Sequence, residues 1–312
     1  MIVRLAAAFG IRRTVIALIA LLCAGCSPVN VINAWAPSDT YRLTADVAYG
    51  ETDRQRLDIY QPAQAGGPAP VVVFFYGGNW AHGERRDYLF VGEALASRGF
   101  VAVIADYRLY PQVRYPEFLD DSAKAVRWTF SHVAEYGGDP ARIFLMGHSA
   151  GAYNAAMLAM NPAYLQAAGV EPSRIKGWIG LAGPYDFLPL NDDISKAVFG
   201  FPHTARSTQP IHYASAASPP ALLITGDDDD VVSPGNSSRL SARLRESGVP
   251  VRTVVYPRIG HRAVIGAMAA HLRNWTSTLD DVSAFVGARP TNSARSAVAS
   301  SDRKSTRLNS SH

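Results

Sequence analysis

Six short runs of aliphatic and β-branched residues recur along the chain, each closed within two residues by Gly, Pro or Asp and separated by longer, helix-compatible stretches. Val71-Val-Val-Phe-Phe75 leads into Gly77-Gly78, Val101-Ala-Val-Ile-Ala105 into Asp106, and Arg142-Ile-Phe-Leu-Met146 into Gly147; residues 175–181, 221–225 and 251–256 supply the others. A run with no polar alternation has no face to show to water, so these read as central strands covered on both sides. Helices expected over 88–98, 118–134, 150–160, 237–247 and 263–276 would provide that cover. Residues 49–60 alternate well enough for an antiparallel hairpin at the edge. Together they predict an α/β fold with a mostly parallel central sheet and helices on both faces. With no internal repeat and no second composition regime, one domain over 46–287 is the economical count, preceded by a linker at 27–45.

The 312 residues are 48% hydrophobic and only 18% charged, which excludes a disordered or collagen-like chain. A net charge of +4 and a pI near 9.1 would suggest a polyanionic partner. The charge is at the ends, however. Arg4, Arg12 and Arg13 lie in 1–26 with no acid, and Arg289, Arg295, Arg303, Lys304 and Arg307 lie in 288–312 against Asp302 alone; between them 22 basic residues face 25 acidic ones, a net of −3. The body has no basic stripe, so a nucleic-acid partner is not expected.

The N-terminal charges precede an apolar run, 14–22, too short for the ~30 Å hydrocarbon core of a bilayer and suited to an export signal. Leu22-Cys-Ala-Gly-Cys26 resembles a bacterial lipobox, with Cys23 where leucine is usual. That resemblance implies lipid attachment at Cys26, and Ser27 after it implies the outer membrane over the inner. Residues 1–26 are therefore expected to be a lipoprotein-type signal peptide, with periplasmic exposure and membrane contact through the anchor alone. The only two cysteines, Cys23 and Cys26, have a C-x-x-C spacing, but no βαβ unit or further cysteine surrounds them to make a redox or metal site. Residues 288–312, rich in Ser, Arg, Asn and Thr, are expected to be disordered, and 302–312 resemble translated cloning-vector sequence.

In an open α/β sheet, ligands gather beyond the carboxyl ends of the strands. The third run is followed by Gly147-His-Ser149-Ala-Gly151 and then at once by helix-forming residues. Glycines on both sides permit the sharp strand-to-helix turn that exposes a serine, and the helix N-terminus aims amides at it. A serine hydroxyl needs a base to become a nucleophile. His261 lies in the loop after the last run, Tyr256-Pro-Arg-Ile-Gly-His261, a position His82, His132, His203, His212 and His271 lack. An acid must fix the tautomer of that base, and Asp227, Asp228, Asp229 and Asp230 follow the fifth run. Calcium loops space their ligands with intervening residues, so four successive aspartates do not suggest a metal. The order Ser, Asp, His is that of the α/β-hydrolases. Gly77, Gly78 and Asn79 after the first run, with the amide of Ala150, could hold a developing oxyanion.

The chain resembles α/β-hydrolases of the bacterial esterase/lipase group, related to hormone-sensitive lipase and to the BD-FAE-type feruloyl and acetyl esterases. Gly147 to Gly151 carry the likeness, with Asp106-Tyr-Arg-Leu109, Pro116, Asp121 and Tyr136-Gly-Gly-Asp-Pro140. The family's His-Gly-Gly-x-Trp turn appears with Tyr76 in place of the histidine and Gly77, Gly78 and Trp80 retained. The family pattern Gly-x-x-Asp-x-x-Val selects Asp229 as the acid, with Asp230 next. The resemblance implies a serine hydrolase that cleaves carboxylic esters without a cofactor, acting on a small-molecule substrate. A short cap is expected at 186–218, favouring acetyl and other short acyl groups. An exopeptidase or amidase on the same triad, or a non-catalytic surface-anchored binding protein, are the alternatives. Oligomeric state is not legible.

Overall fold

A computed structural model describes residues 28–64 and 66–287. The expected signal peptide with Cys26 and the C-terminal tail lie outside the described residues. Among the described residues eight strands form one sheet: β1 (Tyr41–Ala48), β2 (Arg56–Pro62), β3 (Ala69–Phe75), β4 (Val101–Ala105), β5 (Gly138–His148), β6 (Ile175–Leu181), β7 (Ala221–Gly226) and β8 (Val251–Tyr256). The spatial order is β1-β2-β4-β3-β5-β6-β7-β8, with β1 and β2 antiparallel and β3 to β8 parallel. Every residue of β3, β4 and β7 is buried, as runs without alternation require.

Helices α2 (Leu89–Ser97) and α9 (Thr278–Gly287) pack together on one face. On the other lie α3 (Glu117–His132), α4 (Ala150–Met160) and α7 (Gly235–Glu246). Helix α4 crosses β3, β5 and β6 and is buried along its whole length, which its Ala-rich sequence allows by letting the backbone approach the sheet. Short helices α1 (Pro28–Ala34), α5 (Pro162–Ala167), α6 (Asp193–Phe199) and α8 (His261–Gly266) complete the set among the described residues.

Several expectations need correction. The hairpin expected over 49–60 is displaced: its first strand is β1, and 49–55 is the turn between β1 and β2. The register of β1 slips between Thr44 and Val47, where Asp46 has φ 62°, so the period of two is broken in the sequence. Strand β8 is not covered on both faces; it is the sheet edge, and its outward residues, Val255 among them, meet solvent. The helix expected over 263–276 is α8 only, followed by a single 3-10 turn at Ala270–Leu272, and α9 was not anticipated.

A charged cluster secures the antiparallel edge to the loop after β4. Arg85, 5% exposed, donates to Asp58 Oδ1 at 2.8 Å, to Asp106 and to Asp46; Asp58 and Asp106 are also buried. Removing one member of a buried ion pair leaves the others uncompensated, at a cost of about 3–5 kcal/mol. Arg85→Ala should lower the unfolding free energy by that amount in urea titrations; a loss below about 1 kcal/mol would show that solvent reaches the carboxylates.

Register carries the functional loops together. Phe75 pairs with Gly147 at the ends of β3 and β5, so the loop after Phe75 lies beside Ser149. Gly226 pairs with Tyr256, so the loops bearing Asp229 and His261 leave the sheet side by side.

Candidate active site

Ser149 occupies the turn between β5 and α4 with φ 54° and ψ −122°, a conformation costly for any residue with a Cβ. The turn is tight enough that a Cβ on Gly151 would lie 2.0 Å from the Phe75 carbonyl oxygen. The Ser149 amide donates to the Leu181 carbonyl at 2.8 Å, which fixes the elbow to β6.

His261 opens α8 and is buried against the serine, with Nε2 2.8 Å from Ser149 Oγ and Nδ1 2.8 Å from Asp229 Oδ2. Of the four aspartates, Asp229 is the buried one; Asp227, Asp228 and Asp230 are exposed, and Asp227 accepts the Arg258 amide instead. The other Asp229 oxygen accepts the amides of Val232 at 2.8 Å and Val231 at 3.0 Å. Burial pushes the Asp229 carboxyl up, but the His261 hydrogen bond and these two amides outweigh it, leaving it below the usual carboxylate value. An ionised carboxylate only accepts. His261 therefore donates from Nδ1, and Nε2 is free to accept the serine hydroxyl.

The loop after β3 presses on the serine: a Cβ on Gly77 would lie 2.9 Å from Ser149 Cβ. Gly78, Asn79 and Trp80 follow with three successive positive φ values, 129°, 54° and 56°. Ala150 is the first residue of α4, so its amide has no acceptor within the helix. Of the expected oxyanion set, Gly77 thus supplies room for close approach, and Gly78, Asn79 and Ala150 supply candidate donors.

Tyr76, at the histidine position of the His-Gly-Gly-x-Trp pattern that the sequence resembles, has its own support. Its hydroxyl donates to Asp106 Oδ1 at 2.8 Å and accepts from Arg54 at 2.6 Å, and its ring stacks between Tyr88 and Tyr107. Tyr107 donates to the Tyr76 carbonyl at 2.8 Å. Asp106, noted in the sequence only as part of a motif, is thereby shared between the Arg85 cluster and the loop beside Ser149.

His148 was not anticipated as a site residue. Its Nε2 donates to the His261 carbonyl at 3.1 Å, and the two rings lie 4.8 Å apart. Burial first, and the neighbouring His261 second, hold its pKa down to about 3, so it is neutral. Its place inside the serine motif put it next to the nucleophile, but nothing in the sequence showed that it would underlie the base.

The BD-FAE family matches residues 57–244, three fifths of the chain, taking in Ser149 and Asp229 and stopping short of His261. The chain belongs to the BD-FAE family. Among curated proteins it is 36% identical over 151 residues to a probable isoprenylcysteine alpha-carbonyl methylesterase of Arabidopsis thaliana, covering 47% of this chain and 32% of that one. It is 30% identical over 239 residues to the esterase LipC of Mycobacterium tuberculosis, covering 69% and 58%. The matches span 32% and 58% of these two relatives' own length. Among solved structures, a truncated carbohydrate esterase from gut microbiota superposes with a TM-score of 0.70 at 22% identity, covering 81% of this chain and 98% of that one. A propionate-bound thermophilic esterase of Thermogutta terrifontis does so at 0.65 and 24%, covering 80% and 95%. At these identities the likeness establishes the fold, which is that of the α/β-hydrolases.

Proposed function

We propose that this BD-FAE protein hydrolyses carboxylic esters of small acyl groups through an acyl-enzyme on Ser149. The observation that carries the reading is the unbroken chain Ser149 Oγ, His261 Nε2, His261 Nδ1, Asp229 Oδ2, with both links at 2.8 Å. His261 takes the serine proton as Oγ bonds to the ester carbonyl carbon, and the carbonyl electron pair moves to oxygen. The amides of Gly78, Asn79 and Ala150 receive that charge. Collapse of the tetrahedral species expels the alcohol, which takes the proton from His261. Water, deprotonated by the same imidazole, then attacks the acyl-enzyme and releases the acid. Asp229 stabilises the imidazolium in each half-reaction without taking the proton itself. The names of the curated relatives, all esterases or methylesterases among those above, support ester chemistry.

The cap supports a small acyl group. Phe199 of α6 and Phe187 before it turn inward onto Trp80 and Tyr153, with ring centroids 4.8 to 6.2 Å apart. These rings pack directly onto the residue that follows the oxyanion loop, which favours a short acyl site. In an ester series, kcat/KM should fall at least about tenfold from p-nitrophenyl acetate to the octanoate, because each misplaced methylene is worth about 1–3 kcal/mol in a fitted pocket. A preference for octanoate would overturn the assignment of acyl size. Leucine p-nitroanilide run in parallel should be inert, and faster turnover of that amide than of the acetate would make the protein an exopeptidase.

A further inference from the structure

The cap meets the loop after β3 at one polar junction. Asn79 Nδ2 donates to Asp192 Oδ1 at 2.9 Å, and the Ser195 hydroxyl donates to Asn79 Oδ1 at 3.2 Å. The same Asp192 oxygen accepts the Ser195 amide at 2.8 Å and so caps α6. Burial pushes the Asp192 carboxyl up, but Ser195 and Asn79 outweigh it and hold it below the usual carboxylate value.

Asn79 and Trp80 are the two residues of this loop that carry a Cβ at positive φ. Asparagine tolerates that region, whereas a bulky residue such as tryptophan enters it only when its surroundings leave no alternative. Helix α6 supplies the constraint at both ends. Its N-terminal cap grips the Asn79 side chain, and its last residue, Phe199, sets its ring edge against Trp80 at 4.8 Å and 89°. Behind them, Trp80 Nε1 donates to Asn154 of α4 at 3.1 Å, and the Tyr115 amide donates to the Val198 carbonyl at 3.1 Å, holding α6 from the far side.

We propose that Asp192 is a positioning residue for the oxyanion site: through the Asn79 side chain it sets the direction of the Gly78 and Asn79 amides, so that cap helix and catalytic loop act as one unit. This rests on the serine-hydrolase reading. An acyl group that lifts α6 from its seat would turn the oxyanion donors away at the same time. Selection against large acyl groups is then exerted on the chemical step as well as on binding, since a donor displaced by about 1 Å loses much of its worth in the transition state.

The test compares full-length wild type with Asp192→Ser, Asp192→Asn, Asn79→Gly and the Asn79→Gly/Asp192→Ser double variant on p-nitrophenyl acetate and on a fluorophosphonate probe. Serine still caps α6 but is too short to reach Asn79, whereas asparagine keeps an acceptor at the same reach. Asp192→Ser should lower kcat about tenfold with KM within about twofold, and slow probe labelling in step. Asp192→Asn should stay within about threefold of wild type on both readouts. The double variant should be no slower than the slower single one, as two halves of one contact require. A rise in KM at unchanged kcat, or losses that multiply in the double variant, would overturn the proposal. Asp192→Ser matching wild type, in a protein that turns over the ester and takes the probe, overturns the latch alone. A wild type that does neither overturns the serine-hydrolase reading and the latch with it.

Discussion

Replacing Ser149 by alanine is expected to lower kcat/KM for p-nitrophenyl acetate at least about 10³-fold, some 4 kcal/mol of transition-state stabilisation. The size follows from what remains. Without Oγ, His261 has no proton to take and no acyl-enzyme can form. Water would have to attack directly, helped only by binding and by the amides of Gly78, Asn79 and Ala150. The change should be silent in the fold. Ser149 is already held at φ 54° by the close approach of Gly151 to Phe75, and alanine suffers the same backbone strain without relieving it. The Ser149 amide keeps its hydrogen bond to Leu181. Melting temperature should therefore stay within a few degrees while fluorophosphonate labelling disappears. Turnover near the wild-type rate would remove Ser149 from the mechanism.

What the sequence made legible is what single-residue chemistry controls. Strands β4, β6 and β8 begin and end where their apolar runs do, and α4 runs from Ala150 to Met160 as its composition indicates. Ser149 and His261 could be placed because each follows a strand and precedes a helix. The misreadings have a common cause: they depend on what an element packs against. Strand β8 shares its valines with β3 and β4 but also carries Arg252, and at the end of the sheet order one of its sides lies in water. The bulge at Asp46 hides the period of β1, and its purpose, contact with Arg85 across 39 residues, is invisible locally. Helix α8 stops at Gly266, and Ala267 and Met268 after it are buried in the core, a placement that composition alone does not show. Likewise His148 and Asp192 act through partners 113 residues distant in the chain, beyond any local pattern.

Exchanging Asp229 for asparagine is expected to cost about 10³ to 10⁴ in kcat at neutral pH, although the two side chains have the same shape. The Val231 and Val232 amides fix which end of the new amide faces where. They require an acceptor, so the carbonyl oxygen must stay on them and the NH₂ must turn toward His261. That NH₂ is a donor facing Nδ1, which must then give up its proton. The imidazole flips to the tautomer with hydrogen on Nε2, and Nε2 can no longer accept from Ser149. Asp230→Asn is the control. Its side chain is exposed, so turnover should remain within about threefold of wild type. The charge has a second consequence. The folded Asp229 carboxyl lies below its usual value, so its ionisation adds stability at neutral pH, and that contribution is lost as pH falls through the folded value. Melting temperatures of wild type and Asp229→Asn should accordingly differ most at neutral pH and converge in acid. If instead Asp229→Asn turned over ester normally and Asp230→Asn did not, the carboxylate that orients His261 would be Asp230, and the hydrogen bond between His261 and Asp229 would not be the one used in catalysis.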